Sequence, residues 1–435
     1  MKIAIVGAGI SGLGAALALS ERHDVRIYEQ AGRLGGHANT VEAAFPDGMQ
    51  PVDTGFIVYN QRNYPNLCGL FAHLDVPTKW SDMSFGFSLG GGACEYACDN
   101  LDKVFAQRWR VFDPRFIRMT REILRFTRVG QADLAGGRAN DLALGEWLES
   151  RRFSPWFRER FLLPMGGAIW STSVARMLDF PARNFLNFFC NHDLMTGLDP
   201  AQRWRTVDGG SREYVRRVHA RLGPRVQLGR AAARVESAGA RPRIRFADGT
   251  AERFDQVVLA VHGPEARRLL ARPDAQQARL LGSFRTTENR AVLHSDTRLM
   301  PRRRRVWSSW NFLADRHEAE GTRPAQVTYW MNRLQGIPEH RPLFVSLNPR
   351  DEIDPALTHG VYDYAHPFFD LAAFEAQRGM DAIQGRGGVW YAGAWLGYGF
   401  HEDGLRAGLR VADALGARPA WAADPGPPMV AADAA

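Results

Sequence analysis

The chain has 435 residues, 45% apolar and 23% charged, and 55 Lys and Arg against 47 Asp and Glu leave a net charge of +8. That composition excludes a disordered chain, and the length predicts two domains or one elaborated domain. No run of 18 apolar residues offers a transmembrane helix.

The positive charge is almost all arginine, since Lys2, Lys79 and Lys103 are the only lysines. The plain reading of this excess is a genome that favours arginine codons, and the balance also suits an anionic partner. Cys68, Cys94, Cys98 and Cys190 form no CxxC pair and share no ligand spacing with histidine, so no metal site is expected. They do not suggest a disulfide framework, and a reducing, cytoplasmic compartment is expected. The spacing of Cys94 and Cys98 suits two buried thiols on one helix face.

From the N-terminus, Lys2–Val6 (KIAIV) is a β-branched apolar run that predicts a buried parallel strand. The repeated glycines that follow, and the strand Val25–Tyr28 after them, argue against reading the segment as a signal peptide. Gly7-Ala8-Gly9-Ile10-Ser11-Gly12 leads into an alanine-rich helix, and Glu29 ends the second strand. This is the dinucleotide fingerprint with strand, turn, helix and acid in register. Gly7 serves the tight turn, Gly9 the approach to pyrophosphate, and Gly12 the packing of helix on strand. The amides around Ile10 and Ser11 open the helix N-terminus to phosphate, and Glu29 with Gln30 stands where a ribose is held.

Arg33-Leu34-Gly35-Gly36-His37 then follows, with Asp53-Thr54-Gly55 beyond it. Here the sequence resembles the flavin-containing amine oxidoreductases, the superfamily of monoamine oxidases and phytoene-desaturase-like enzymes. The resemblance implies non-covalent FAD, with Arg33, Gly35, Gly36, His37, Thr54 and Gly55 around its phosphates and ribityl chain. The family usually has arginine where this chain has His37. Further along, Thr206–Val215 (TVDGGSREYV) and Val226–Val235 continue the likeness, placing Ala232 at the adenine end where the family usually has valine. Asp248-Gly249 marks a hairpin turn, and the segment 254–261 (FDQVVLAV) reads as another buried strand.

Between these segments, Lys103–Arg128 carries eight basic residues against Asp113 and Glu122. Phe116, Met119, Ile123 and Phe126 recur there at helical spacing, which predicts a basic amphipathic helix able to lie on an anionic membrane or on the protein's own core. Arg302–Arg305, followed by Val306 and Trp307, is a second basic-aromatic site. No nucleic-acid motif accompanies the charge, and no nucleic-acid partner is expected.

Near the C-terminus, Val389–Ala392 (VWYA) reads as a strand ending at Gly393, with Trp395, Tyr398 and Phe400 after it. The resemblance implies that Glu402, Asp403, Gly404 and Leu405 open a helix aimed at the flavin. The usual acid after the glycine is replaced by Ala394. The lysine that amine oxidases place near flavin N5 has no equivalent, and Arg290 in ENRAVLH stands near its position. Arginine stays protonated and cannot copy a neutral lysine.

The expected architecture is a Rossmann-like, doubly wound α/β FAD domain from residues 1–80, 205–288 and 380–418. A substrate domain occupies 81–204 and 289–379, and 419–435 is an expected disordered tail. The expected activity is FAD-dependent dehydrogenation of a hydrophobic lipid acyl chain. Amine oxidation, carotenoid-type desaturation or isomerisation, and a non-catalytic role beside a lipid enzyme are the alternatives. The likeness extends to bacterial FAD proteins encoded near cyclopropane-fatty-acid-synthase-like methyltransferases, which implies a lipid methyltransferase partner and peripheral contact with the inner membrane face. His401, Arg290 and Tyr398 are the catalytic candidates, with His37, His294 and His366 as further bases by chemistry alone.

Overall fold

A computed structural model describes residues 1–170, 173–191, 203–237, 241–314 and 326–423. Its centre is a five-stranded parallel sheet in the order Val226–Gln227, Asp24–Tyr28, Lys2–Val6, Gln256–Leu259, Val389–Tyr391. Side chains alternate across a strand, and both faces here are apolar. Ile3 and Ile5 pack on one side with the helix Ile10–Leu19, whereas Ala4 and Val6 pack on the other with Tyr28, Phe246 and Leu259. The helix His401–Ala414 lies against Ile10–Leu19 on the first side. A three-stranded meander, Ala232–Glu236, Arg243–Phe246 and Ala251–Arg253, covers part of the other, its second hairpin turning at Asp248-Gly249.

A second sheet has seven strands and is built from both insertions. Its order is Thr358–Phe368, Arg285–His294, Phe344–Leu347, Gln326–Trp330, Trp310–Ala314, Phe85–Leu89, Cys94–Ala97. All pairs are antiparallel except Trp310–Ala314 with Phe85–Leu89. The segment expected to put Cys94 and Cys98 on a helix is thus the last strand of this sheet. A spacing of four keeps one face in a strand as well as in a helix, and Tyr96 between them stacks on Phe87 at 4.9 Å.

The basic amphipathic helix forms over Pro114–Ala135, with Asp113 as its N-cap accepting from the amide of Arg115 at 3.0 Å. Its apolar face is consumed internally. Phe116, Met119 and Phe126 are fully buried against Trp147, Phe153 and Phe157, and Glu122 and Asp133 are buried with them. Of the two readings the sequence leaves open for this face, the structure takes the one in which it packs on the protein's own core. Of the expected tail, residues 419–423 fold back, and Trp421 stacks on His73. Residues 424–435 lie outside the described residues.

Candidate active site

The carboxyl ends of Lys2–Val6, Gln256–Leu259 and Val389–Tyr391 open together on one elongated cavity of about 610 Å³. This is where an open parallel sheet places its ligand. At one end lie Gly7, Ala8, Gly9, Ile10, Ser11, Glu29, Gln30, Ala232, Ala233, Glu265 and Arg268. The middle is walled by Gly36, His37, Thr54, Gly55, His262, Tyr364, His366, Gly393, Ala394 and His401. The far end is apolar: Ile57, Val58, Met83, Ile169, Trp170, Phe188, Trp310, Tyr329, Leu347 and Phe369.

The first end is shaped by backbone. A Cβ on Gly12 would fall 2.0 Å from the Gly7 carbonyl oxygen, and one on Gly7 would fall 2.4 Å from that of Ala260. No other residue lets strand, turn and helix approach this closely. A Cβ on Gly9 would meet nothing within 4 Å, so this stretch of backbone faces open space. Glu29 holds the turn by accepting from the amides of Ala8 and Ala31, each at 2.9 Å. Gly35 stays out of the cavity and docks on the glycine loop, its amide donating to Ala8 O at 2.9 Å. Arg33 also lies outside the lining, and its guanidinium donates to Gly36 O at 2.9 Å.

Asp53 is fully buried and ties three segments together. Its carboxylate accepts from Thr40 Oγ1 at 2.5 Å, Ser211 Oγ at 2.6 Å and Gln335 Nε2 at 2.7 Å. Beside it, Thr54 Oγ1 and Tyr364 Oη are 2.7 Å apart, and Asn39 Nδ2 donates to both.

The middle section gathers histidines. The ring of His37 lies 5.4 Å from that of His366 and 5.9 Å from that of His262. Burial, and then the neighbouring imidazoles, hold His37 well below the ordinary histidine range. Burial drops His366 to about 4, and its Nδ1 accepts from Asn289 Nδ2 at 3.1 Å. His37 Nε2 is buried without a partner. His262 escaped the sequence reading. Its signal was its place, the third residue past the strand Gln256–Leu259 on the ligand side of the sheet.

His401, the favoured base, lies in the lining but is locked. Its ring stacks on Phe56 at 3.9 Å, and Nε2 meets Tyr214 Oη at 2.8 Å. Burial alone drops it to about 3, which makes it a poor general base near neutral pH. Tyr398 lines the cavity, and burial raises its hydroxyl to about 12. Arg290 is corrected outright. It faces solvent from the strand Arg285–His294, outside the lining. The alternation of that strand buries Asn289 and turns Arg290 outward. His294 is buried away from the cavity against Ser346 Oγ at 2.8 Å.

The side chains of the last helix also turn elsewhere. Glu402 accepts from the amides of Asn66 and Leu67 and from Asn66 Nδ2 at 2.7 Å, and burial raises it to about 6. Asp403 accepts from the amides of Tyr398 and Phe400. Gly404 meets Ile10 and Ser11, and Leu405 meets Gly14. These four residues pack the helix rather than line the cavity, which its N-terminus reaches through Phe400 and His401.

A family model described as flavin-containing amine oxidoreductase matches residues 10–333. The chain belongs to that family. Its cofactor is FAD and its chemistry is oxidoreduction. No curated protein matches it at a significant level. A putrescine oxidase triple mutant superposes with TM-score 0.68 and 17% identity, over 96% of this chain and 99% of that one. Cyclohexylamine oxidase from Brevibacterium oxydans IH-35A gives 0.67 and 16%, over 95% and 98%. A fatty acid isomerase from P. acnes that produces CLA gives 0.65 and 16%, over 95% and 97%.

The residues present fit FAD. The glycine loop and the amides that open Ile10–Leu19 suit a pyrophosphate, and the orphaned His37 Nε2 can bond a polar ligand atom. Glu29 and Gln30 would hold the ribose, Ala232 and Ala233 would flank the adenine, and Gly393 with Ala394 would lie beside the flavin ring. None of the four cysteines lines the cavity, in keeping with a cofactor held without a cysteinyl bond.

Proposed function

We propose that this protein is an FAD-dependent dehydrogenase of a hydrophobic acyl chain. One observation carries the reading: among the described residues, the far end of the cavity is lined by aliphatic and aromatic side chains with no charged group among them. Burying an ammonium there without a carboxylate would be costly, whereas a hydrocarbon chain gains from every apolar contact. Among the described residues the lining acids are Glu29 and Glu265, and both stand at the nucleotide end. The lysines lie outside the cavity, Lys2 on Glu252, Lys79 on Asp208 and Lys103 on Asp99.

Bound FAD supplies the acceptor for a hydride. The chain's own residues orient the substrate and exclude water. Loss of a hydride from one carbon and of a proton from its neighbour would form a C=C bond, the two electrons passing to the bound cofactor. Turnover then needs an external acceptor such as dioxygen or a quinone. The rings of Trp170, Phe188, Trp310 and Tyr329 favour positive charge at the carbon that gives up hydride. A proton next to such a carbon is acidic enough for a weak base. His37, whose Nε2 is buried in the middle of the cavity without a partner, is the group placed to accept that proton.

The test is mass analysis of phospholipids with unsaturated or cyclopropane acyl chains after incubation with the purified holoprotein and an acceptor. The expected product has lost two hydrogens. Lipid returned unchanged, with primary amines oxidised instead, would reject the reading. No turnover of either class would favour the non-catalytic role.

A further inference from the structure

We propose that the 3₁₀ segment Arg108–Phe112 and its surroundings form a docking site for an anionic phospholipid surface, a role distinct from the chemistry of the cavity. Leu101, Trp109, Val111 and Phe112 are 66%, 56%, 44% and 86% exposed. A single exposed apolar side chain is ordinary, but four within twelve residues form a patch that calls for a partner. The presentation is rigid. Arg110, between them, is buried and bonds Gln107 Oε1 at 2.8 Å, Asp113 Oδ2 at 3.0 Å and Ala93 O at 2.6 Å. Its guanidinium also lies 4.3 Å from the centre of the Trp109 ring. A buried cation thus fixes the turn that holds Trp109, Val111 and Phe112 outward.

Charge selects the partner. Arg115, Arg118 and Arg121 follow on the exposed side of the next helix. The Arg302–Arg305 run comes alongside: Arg303 Nη1 and Gln107 Nε2 both donate to Gly92 O at 3.2 Å, and Val306 packs with Ala106 and Ala97. The nearby acids are already paired, Asp99 with Lys103 and Arg333, Asp102 with Arg108, Asp113 with Arg110 and Glu122 with Arg118. Among the described residues Arg115, Arg121, Arg302 and Arg305 make no ion pair. Aromatic and aliphatic side chains ringed by unpaired guanidinium groups suit a bilayer interface, rings at the acyl boundary and arginines on phosphate. A second copy of the same face would oppose like charges, and Leu101 and Val111 offer nothing for bases to stack on.

The experiment is co-sedimentation of the full-length holoprotein with vesicles of phosphatidylcholine alone and mixed with phosphatidylglycerol. The expected result is salt-sensitive binding to the mixed vesicles and much weaker binding to phosphatidylcholine. Trp109→Ser with Phe112→Ser should lower the partition coefficient about tenfold or more, with melting temperature and FAD content unchanged. Arg115→Gln with Arg305→Gln should weaken binding to the mixed vesicles and flatten its salt dependence. Indifference of the wild type to phosphatidylglycerol, or equal binding by the Trp109/Phe112 variant, would overturn the proposal. So would light scattering showing that this variant dissociates an oligomer, or nuclease-sensitive nucleic acid held by the same residues.

Discussion

His401 shows how burial decides what a titratable side chain can do. Stacked on Phe56 and bonded to Tyr214, it is a structural imidazole that happens to face the cavity. His401→Ala would open a void and strand the Tyr214 hydroxyl, at a cost of about 2–4 kcal/mol. Thermal melting should show that loss, while the pH profile of flavin reduction keeps its shape between pH 6 and 8. A profile that loses an inflection would restore His401 as a base. The buried histidines also set the stability of the fold against pH. His37, His262, His294, His366 and His401 all have folded pKa values below the ordinary one. On acidification the unfolded chain takes up their protons first, so stability present above about pH 6.5 is lost as pH falls toward 4. Glu402 and Asp403 act in the opposite sense, since burial raises both to about 6 and the folded state gains as they protonate. Between pH 7.5 and 6 the histidines dominate, and the melting temperature should fall. A rise over that window would contradict the assignment.

Between elements, the contact that matters most is the crossing of Ile10–Leu19 and His401–Ala414. A Cβ on Gly408 would fall 2.2 Å from the Ser11 carbonyl oxygen. Gly408→Ala must push the helices apart and displace the amides at Ile10 and Ser11, so the purified protein should carry less FAD, read from its flavin-to-protein absorbance ratio. Glu402 serves a second junction, accepting from the first-turn amides of the helix Pro65–His73. Glu402→Ala should cost about 1–3 kcal/mol in denaturant unfolding, and Glu402→Gln less, because the amide oxygen can still accept. The dinucleotide fingerprint was legible in the sequence because its spacing is local: strand, Gly7, Gly9, Gly12, strand and Glu29 fall within thirty residues. The C-terminal return was legible in register but not in side-chain direction. Nothing local says that Glu402 and Asp403 turn to Asn66, Leu67 and Tyr398. Arg290 failed for a related reason, since a one-residue shift in a strand exchanges its two faces, and Asn289 rather than Arg290 points inward.

At the scale of the molecule, the cavity is a product of topology. Its nucleotide end comes from the parallel sheet and its apolar end from the second sheet and the helices between residues 155 and 191. Asp53 bridges the two, bonded to Ser211 and Gln335 from distant parts of the chain. Such meetings are invisible to periodicity, as is the cluster of His37, His262 and His366, which lie some 225 and 104 residues apart. The same holds for the basic segments. The sequence left the apolar face of the helix after Pro114 open to a membrane or to the protein's own core, and folding buries that face and leaves the turn before it outside. We propose that this family's flavin chemistry is directed here at a hydrocarbon chain. The most direct test is an anaerobic visible spectrum of the holoprotein, recorded before and after addition of bacterial phospholipid and, separately, of putrescine and cyclohexylamine. The flavin band should bleach with lipid and stay with the amines. Bleaching by the amines while lipid leaves the band unchanged would contradict it.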